Sequence, residues 1–475
     1  MTRSWRWTGM PESSALSRPE GAAVAPAPPS SERAVLITVA LGTTLAPLNS
    51  TMIAVALPHI MKEFGADVAG AGWLVTAYLI AMASLQPVAG KLGDRLGRRR
   101  LILGGIAWFG LASLGAAAAS SLPMLLFFRV QQAIAGAIAL PNGAALVREV
   151  VPVERRASRF GAIGAAIALA AAAGPPLGGL LVETAGWRAI FHVNVLIILP
   201  TLWIGWRAIP ARPGRGAAHP FDLGGAFLLS AVLIGIAYLL THGPRHNPVL
   251  APALGLLLGG VAALFLWREL RHPDPVLQPR FFSRRAFAAS NAAIALSNLA
   301  MYSTLLAIPI LLSRQAGWKS TGIGLVLTAM SAGMVVFSPL GGRLADRFGR
   351  RWPTVAGLSL LTLGLLPLAM AGGEVALPAL LAGLGLAGAG LGLSSAGLQT
   401  AAVESVGPGE AGMASGVFST SRYLGSIVGA SILAGLLGPT RDGVSGFGVL
   451  FGMVAVAAFL SALVSCGLHD REERI

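Results

Sequence analysis

Hydrophobic positions in this chain run in long unbroken stretches with short polar breaks between them. Crossing about 30 Å of hydrocarbon as a helix takes about 20 residues. Runs of that kind fall at 35–58, 70–90, 101–119, 123–147, 158–183, 189–207, 222–241, 249–268, 286–312, 320–342, 353–371, 375–402, 411–437 and 446–468. They predict fourteen membrane-spanning helices and an all-α integral membrane protein. Residues 1–33 are rich in Pro, Ala and Ser without a continuous apolar core. This segment reads as a disordered arm, neither a span nor a signal peptide.

The polar breaks carry a second pattern. With an even number of spans both termini share one side, and 27 of the 35 Lys and Arg residues sort to that side against six on the other. Such a bias over short loops sets orientation, so both termini are expected in the cytoplasm and the chain in a cell (inner) membrane. Composition agrees with lipid as the main solvent. Only 12% of residues are charged and 55% are hydrophobic, whereas a soluble domain carries about 25% charged residues. The net charge of +15 lies in short clusters rather than on one face, which argues against a nucleic-acid partner. Cys466 is the single cysteine, so no intrachain disulfide forms. No nucleotide loop, metal-spaced His/Cys cluster or nucleophile elbow is present, so no enzyme, cofactor or metal is expected.

One segment occurs twice. Gly90-Lys91-Leu92-Gly93-Asp94-Arg95-Leu96-Gly97-Arg98-Arg99 follows the second run, and Gly342-Arg343-Leu344-Ala345-Asp346-Arg347-Phe348-Gly349-Arg350-Arg351 follows the tenth, 252 residues later. Parallel repeats of this kind build one large group of transporters. The glycines suit a tight turn. Asp94 can accept hydrogen bonds from a helix N-terminus or pair with arginines, acting as a latch between opposite halves. The arginines can also be plain orientation anchors.

At this point the chain resembles the major facilitator superfamily, and its duplicated loop looks like that family's cytoplasmic motif. Leu48-Asn49-Ser50-Thr51 through Pro58 resembles the first-helix signature of the fourteen-span drug:proton antiporters. Arg129-Val130-Gln131-Gln132-Ala133 resembles the fourth-helix motif, with Ala133 in place of Gly. Gly174-Pro175-Pro176-Leu177-Gly178-Gly179 resembles the fifth-helix motif of exporters, and Trp187 to Asn194 the opening of the sixth helix. The resemblance implies two six-helix bundles, 34–207 and 286–468, around a central cavity that works by alternating access. Residues 208–285 are then a linker with two extra helices, and 469–475 a cytoplasmic tail. A conformational latch would comprise Gly90, Asp94, Arg95, Gly97 and Arg98 with Gly342, Asp346, Arg347 and Gly349. Gly174, Pro175, Pro176, Gly178 and Gly179 would form either a flexible seam or a packing kink.

Candidate cavity residues are Asn49, Thr51, Arg129, Gln132, Asn142, Asn298, Tyr302, Ser395, Gln399 and Arg422; the eight neutral ones could instead bond helix to helix, and the two arginines could instead snorkel to the interface. Arg129 stands roughly 9 Å into its span at 1.5 Å per residue, and Arg422 near the midplane, where a charge faces a cavity or a partner. No Asp or Glu lies mid-span, and Asn49 occupies the place where the antiporters carry an acid. An amide carries no proton at physiological pH. Coupling to protons would then fall to Glu149, Glu183, His192 or Glu404. An electropositive, mostly apolar cavity suits small amphipathic substrates, neutral or anionic, carried by a monomer in the lipid bilayer. The function expected is secondary active export of such compounds, driven by protons. A lipid or lipophile transporter of the same fold, and a transporter-like receptor or scaffold, are the alternatives.

Overall fold

The computed structural model describes residues 29–211, 222–242, 250–273, 275–315, 317–371, 376–407, 410–437 and 445–468. Within them lie α1 (Pro29–Phe64), α2 (Val68–Leu96), α3 (Arg98–Ala117), α4 (Leu122–Val150), α5 (Val153–Ala185), α6 (Ala189–Ala208), α7 (Leu223–His242), α8 (Leu250–Arg271), α9 (Arg285–Gln315), α10 (Ser320–Phe348), α11 (Arg351–Met370), α12 (Leu377–Glu404), α13 (Ala411–Leu436) and α14 (Ser445–Ser465). Helices satisfy every backbone donor and acceptor within one segment, which hydrocarbon demands. Thirteen of the fourteen are long and apolar enough to cross a membrane, and α13, which carries Arg422, is the exception. Large apolar side chains such as Leu256, Phe227 and Trp206 are left exposed, the surface lipid would cover.

The first helix begins earlier than its apolar run. Residues 29–33, expected in the arm, form its first turn, and Glu32 is buried there between Arg155 (3.1 Å) and Arg159 (3.4 Å) of α5. An ion pair supplied from α5 makes that acid tolerable inside the bundle. The rest of the arm and the tail at 469–475 lie outside the described residues.

α1–α6 form one bundle and α9–α14 the other, and they meet mainly through α5 on α10, α2 on α13 and α1 on α9. We call the face at which α1 begins and α14 ends the terminal face. At the opposite face α5 and α10 touch backbone to backbone. A Cβ on Gly179 would lie 2.4 Å from the Ser320 carbonyl oxygen, and one on Gly324 2.3 Å from that of Pro175. The Gly-Pro-Pro-Leu-Gly-Gly segment is therefore where the two halves close against each other. Polar contacts reinforce it: Glu183 accepts from the Thr321 N–H at 3.2 Å and pairs with Lys319 at 3.4 Å, and Ser320 Oγ lies 3.4 Å from His59 Nδ1.

The two inserted helices are not equivalent. α7 packs against both α2 and α13, filling the groove between the halves, while α8 packs chiefly on α7 and is otherwise exposed. Asp222 holds the pair at one end, bonding Arg268 Nε at 2.7 Å.

The duplicated segment is mostly helix rather than loop. Gly90 lies inside α2 and Gly342 inside α10; the chain turns only at Gly97 (φ +87°) and Gly349 (φ +85°). Those values lie in the left-handed region that side chains with a Cβ avoid, which accounts for a glycine at the same place in both copies.

Candidate functional site

A cavity of about 380 Å³ lies between the bundles. Its walls come from α1, α2, α4, α5, α9, α10, α12 and α13, and they are mostly carbon. Met82, Met301, Met330 and Met334 give it soft, adaptable surfaces. The halves touch at the opposite face, and toward the terminal face the wall continues through Gly164, Ser338 and Gln399.

Six of the ten predicted cavity residues line this space: Thr51, Asn298, Tyr302, Ser395, Gln399 and Arg422. Several of their polar groups are turned back to their own helices. Thr51 donates to Pro47 O at 3.0 Å, Ser395 to Gly392 O at 3.1 Å and Asn298 Nδ2 to Ile294 O at 3.0 Å. This self-bonding quiets hydroxyls and amides in an apolar setting and leaves few directional contacts for a ligand.

Arg422 differs. Half-buried on the cavity wall, its guanidinium forms no ion pair with any described carboxylate, and its one ring contact is with Tyr423 at 5.3 Å. Among the described residues no Asp or Glu lines the cavity. A lone cation beside apolar walls has little water to screen it, so its field reaches whatever enters.

The other four predicted residues sit behind the wall. Asn49, Arg129, Gln132 and Asn142 are fully buried. Arg129 donates to Asn49 Oδ1, to Gln132 Oε1 at 3.1 Å and to Leu74 O at 3.3 Å, with its guanidinium 4.3 Å over the Tyr78 ring. Gln132 passes a bond on to Ser113 Oγ at 2.8 Å, where Asn194 of α6 also donates at 3.3 Å. These bonds tie α1, α2, α3, α4 and α6 together. Asn142 serves packing between α4 and α2: its amide donates to Ala89 O at 2.9 Å and its oxygen occupies the space a Gly93 side chain would need. The expectation that Arg129 faces the cavity thus gives way to a buried network.

The four candidate proton carriers also lie away from the cavity wall. Glu149 at the end of α4 pairs with Arg98 at 3.2 Å, and Glu404 at the end of α12 pairs with Arg350 at 3.0 Å. These are the same contact in the two repeats, an acid at a helix end meeting the arginine that follows the turn glycine. Arg350 also bonds Asp346 Oδ1 at 2.8 Å, so this repeat's acid is held within its own half, not across to the other. The side chains of Gly90's neighbours Asp94 and Arg95 fall outside what the structure describes. His192 points outward from α6, exposed. Among the described contacts of these four, those of Glu183 with Thr321 and Lys319 bridge the halves.

Residues that sequence reasoning passed over include Tyr78, Gln86 and Tyr423. Gln86 Nε2 donates to Tyr423 Oη at 3.0 Å across the gap between halves, and Ser50 Oγ lies 3.5 Å from Tyr302 Oη in a second crossing. Only four tyrosines occur in the chain, and three line this cavity. That scarcity was the available signal.

Comparison with known proteins follows the same lines. Over 447 residues the chain is 33% identical to the uncharacterized MFS-type transporter YvkA of Bacillus subtilis (strain 168), covering 93% of this chain and 97% of that protein. It is 33% identical to the multidrug resistance protein Stp of Mycobacterium tuberculosis (strain CDC 1551 / Oshkosh), over 85% of this chain and 75% of the relative. With the tetracenomycin C resistance and export protein of Streptomyces glaucescens it shares 30% identity over 86% of this chain and 76% of that one. The crystal structure of a peptide transporter POT in complex with sulfate has the same fold, with a TM-score of 0.68 at 15% identity, covering 91% of this chain and 93% of that one. Residues 39–306 and 290–474 match the pattern of the Major Facilitator Superfamily. Two six-helix bundles with two further helices inserted between them among the described residues, the repeated Gly-Arg-Arg turn and these relatives place the chain in the drug-exporter branch of the major facilitator superfamily.

Proposed function

We propose that this protein exports small amphipathic organic compounds, neutral or anionic, by alternating access. The observation that carries this reading is the cavity itself: apolar, without an acid among its described lining residues, with one uncompensated guanidinium at Arg422. A cation placed there would meet like charge, an anion the opposite charge. Relatives named for multidrug resistance and for resistance and export of one compound support the export direction.

The terminal face is then the cytoplasmic one, since 27 of 35 basic residues sort to it. A closed α5–α10 seam on the other face corresponds to the state that loads substrate from inside. Opening that seam while the terminal-face ends converge would release it. Export against a gradient requires an ion, and protons are the coupling ion we propose. Of the candidate carriers Glu183 fits best, because protonating it removes the charge that holds Lys319 and would weaken the closed seam. The Asp346–Arg350–Glu404 cluster and the Arg98–Glu149 pair, each inside one half, would brace the helix ends that converge when the terminal face closes. We take the working unit to be a monomer, since both walls of the cavity come from one chain.

Everted membrane vesicles energised with a proton gradient test the reading. Accumulation of an anionic amphipathic dye should exceed that of a cationic dye of like size, and should collapse with a protonophore. Uptake of the cationic dye alone would overturn the substrate assignment.

A further inference from the structure

Arg129 is fully buried, yet every described atom it bonds belongs to a neutral group: the Asn49 and Gln132 amide oxygens and the Leu74 carbonyl. A guanidinium buried at membrane depth without a counter-charge is costly. Neutral oxygens offset part of that, but they leave a net positive charge enclosed in low dielectric.

Around the same charge three further polar atoms are buried with no partner: Arg129 Nη2, Asn49 Nδ2 and Tyr78 Oη. The first two belong to groups that are themselves joined by the hydrogen bond from Arg129 Nη1 to Asn49 Oδ1, and the third belongs to the ring on which the guanidinium rests. Two of these atoms can only donate, and the phenol can donate as well. Buried donors without acceptors, next to a charge without a counter-charge, are two deficits that one object would meet. It must be negative, accept several hydrogen bonds at once and be small, because none of the three atoms has open surface.

We propose that Arg129 Nη2, Asn49 Nδ2 and Tyr78 Oη bind a single chloride ion. A spherical monovalent anion takes N–H and O–H donors from any direction, which a planar carboxylate or a tetrahedral oxyanion does not. The ion enters from the cavity past Tyr78, which belongs to both places: its hydroxyl stands 3.5 Å from where a Gly136 Cβ would be, and Gly136 is itself on the cavity wall. Once bound, the ion balances the charge on α4 and draws α1 and α2 to it. It does from solution what an acid at position 49 would do covalently. The site is separate from Arg422 and is independent of what the protein transports.

The test uses the purified full-length protein and no substrate. Its melting temperature is followed while sodium chloride replaces sodium gluconate at constant ionic strength, with bromide in parallel. Expected is a saturable rise with chloride and bromide, as for any ligand that binds the folded state alone. Asn49→Asp should flatten the response, because the carboxylate supplies the charge, and Arg422→Gln should keep it. Equal melting of wild type in chloride and gluconate would overturn the proposal. So would a response that Arg422→Gln abolishes and Asn49→Asp preserves, which places the ion on the cavity cation. Should Asn49→Asp fail to fold, crystals of wild type grown in bromide decide: an anomalous peak beside Arg129 supports the site, and its absence there overturns it.

Discussion

Replacing Gly179 by Ala tests whether the α5–α10 seam sets which face of the cavity is closed. The added Cβ would lie 2.4 Å from the Ser320 carbonyl oxygen and 3.0 Å from the Thr321 Cα, where ordinary contact begins near 3.4 Å. Neither neighbour is a flexible side-chain tip, so the helices must part by about 1 Å at this level. Overpacking of this kind costs about 1–3 kcal/mol. All of it falls on the state in which the seam is closed, because the clash vanishes once α5 and α10 separate. At about 1.4 kcal/mol per tenfold, the closed state loses about 5- to 150-fold in relative population. The assay is thiol accessibility in a Cys466→Ala background, with a single cysteine at Ser338 near the terminal-face mouth of the cavity. Gly179→Ala should slow labelling of that cysteine from the terminal side, by up to that factor, and should reduce export. Gly324→Ala, whose Cβ would meet the Pro175 carbonyl oxygen at 2.3 Å, should do the same from the other helix. Unchanged labelling and full export in both variants would show that the close approach has no part in gating.

Three further outcomes follow from the site and the turns. Arg422→Gln should cut export of an anionic dye by about tenfold or more while leaving a neutral one within about twofold, since one charge pair in a low-dielectric cavity outweighs about 1.4 kcal/mol; vesicle uptake of the two dyes measures the split. Glu183→Gln should leave the Thr321 contact able to form but remove the charge facing Lys319, so the dependence of transport on pH should flatten; an unaltered pH profile would remove Glu183 from coupling. Gly349→Ala forces a Cβ into a φ of +85° and should lower stability by about 1–2 kcal/mol, read as an earlier thermal transition of the purified protein, with Gly97→Ala at φ +87° behaving alike.

Much of the architecture was legible in the sequence because lipid imposes a simple rule. Segments must be apolar, helical and about 20 residues long, so counting apolar runs recovers fourteen helices. The repeat around Asp94 and Asp346 was visible because identical residues stood at equivalent points of two halves. Helix ends were less legible. Polar residues such as Glu32 continue a helix when a partner from elsewhere, here Arg155 and Arg159, meets their charge, and a hydropathy pattern cannot register that partner.

Side-chain direction was the harder part. Arg129 and Arg422 look alike in sequence, single arginines inside apolar runs, yet one is sealed among Asn49, Gln132 and Tyr78 while the other faces the cavity. Glu149 and Glu404 were candidate proton carriers whose partners, Arg98 and Arg350, only the fold brings to them. The sequence by itself determined which segments enter the membrane, how the chain is duplicated and which residue types are absent from the spans, because each of those depends on composition along one helix. Only the tertiary structure decided which polar groups line the cavity, which meet each other and where the halves touch, because those depend on the rotation of each helix against neighbours far away in the chain.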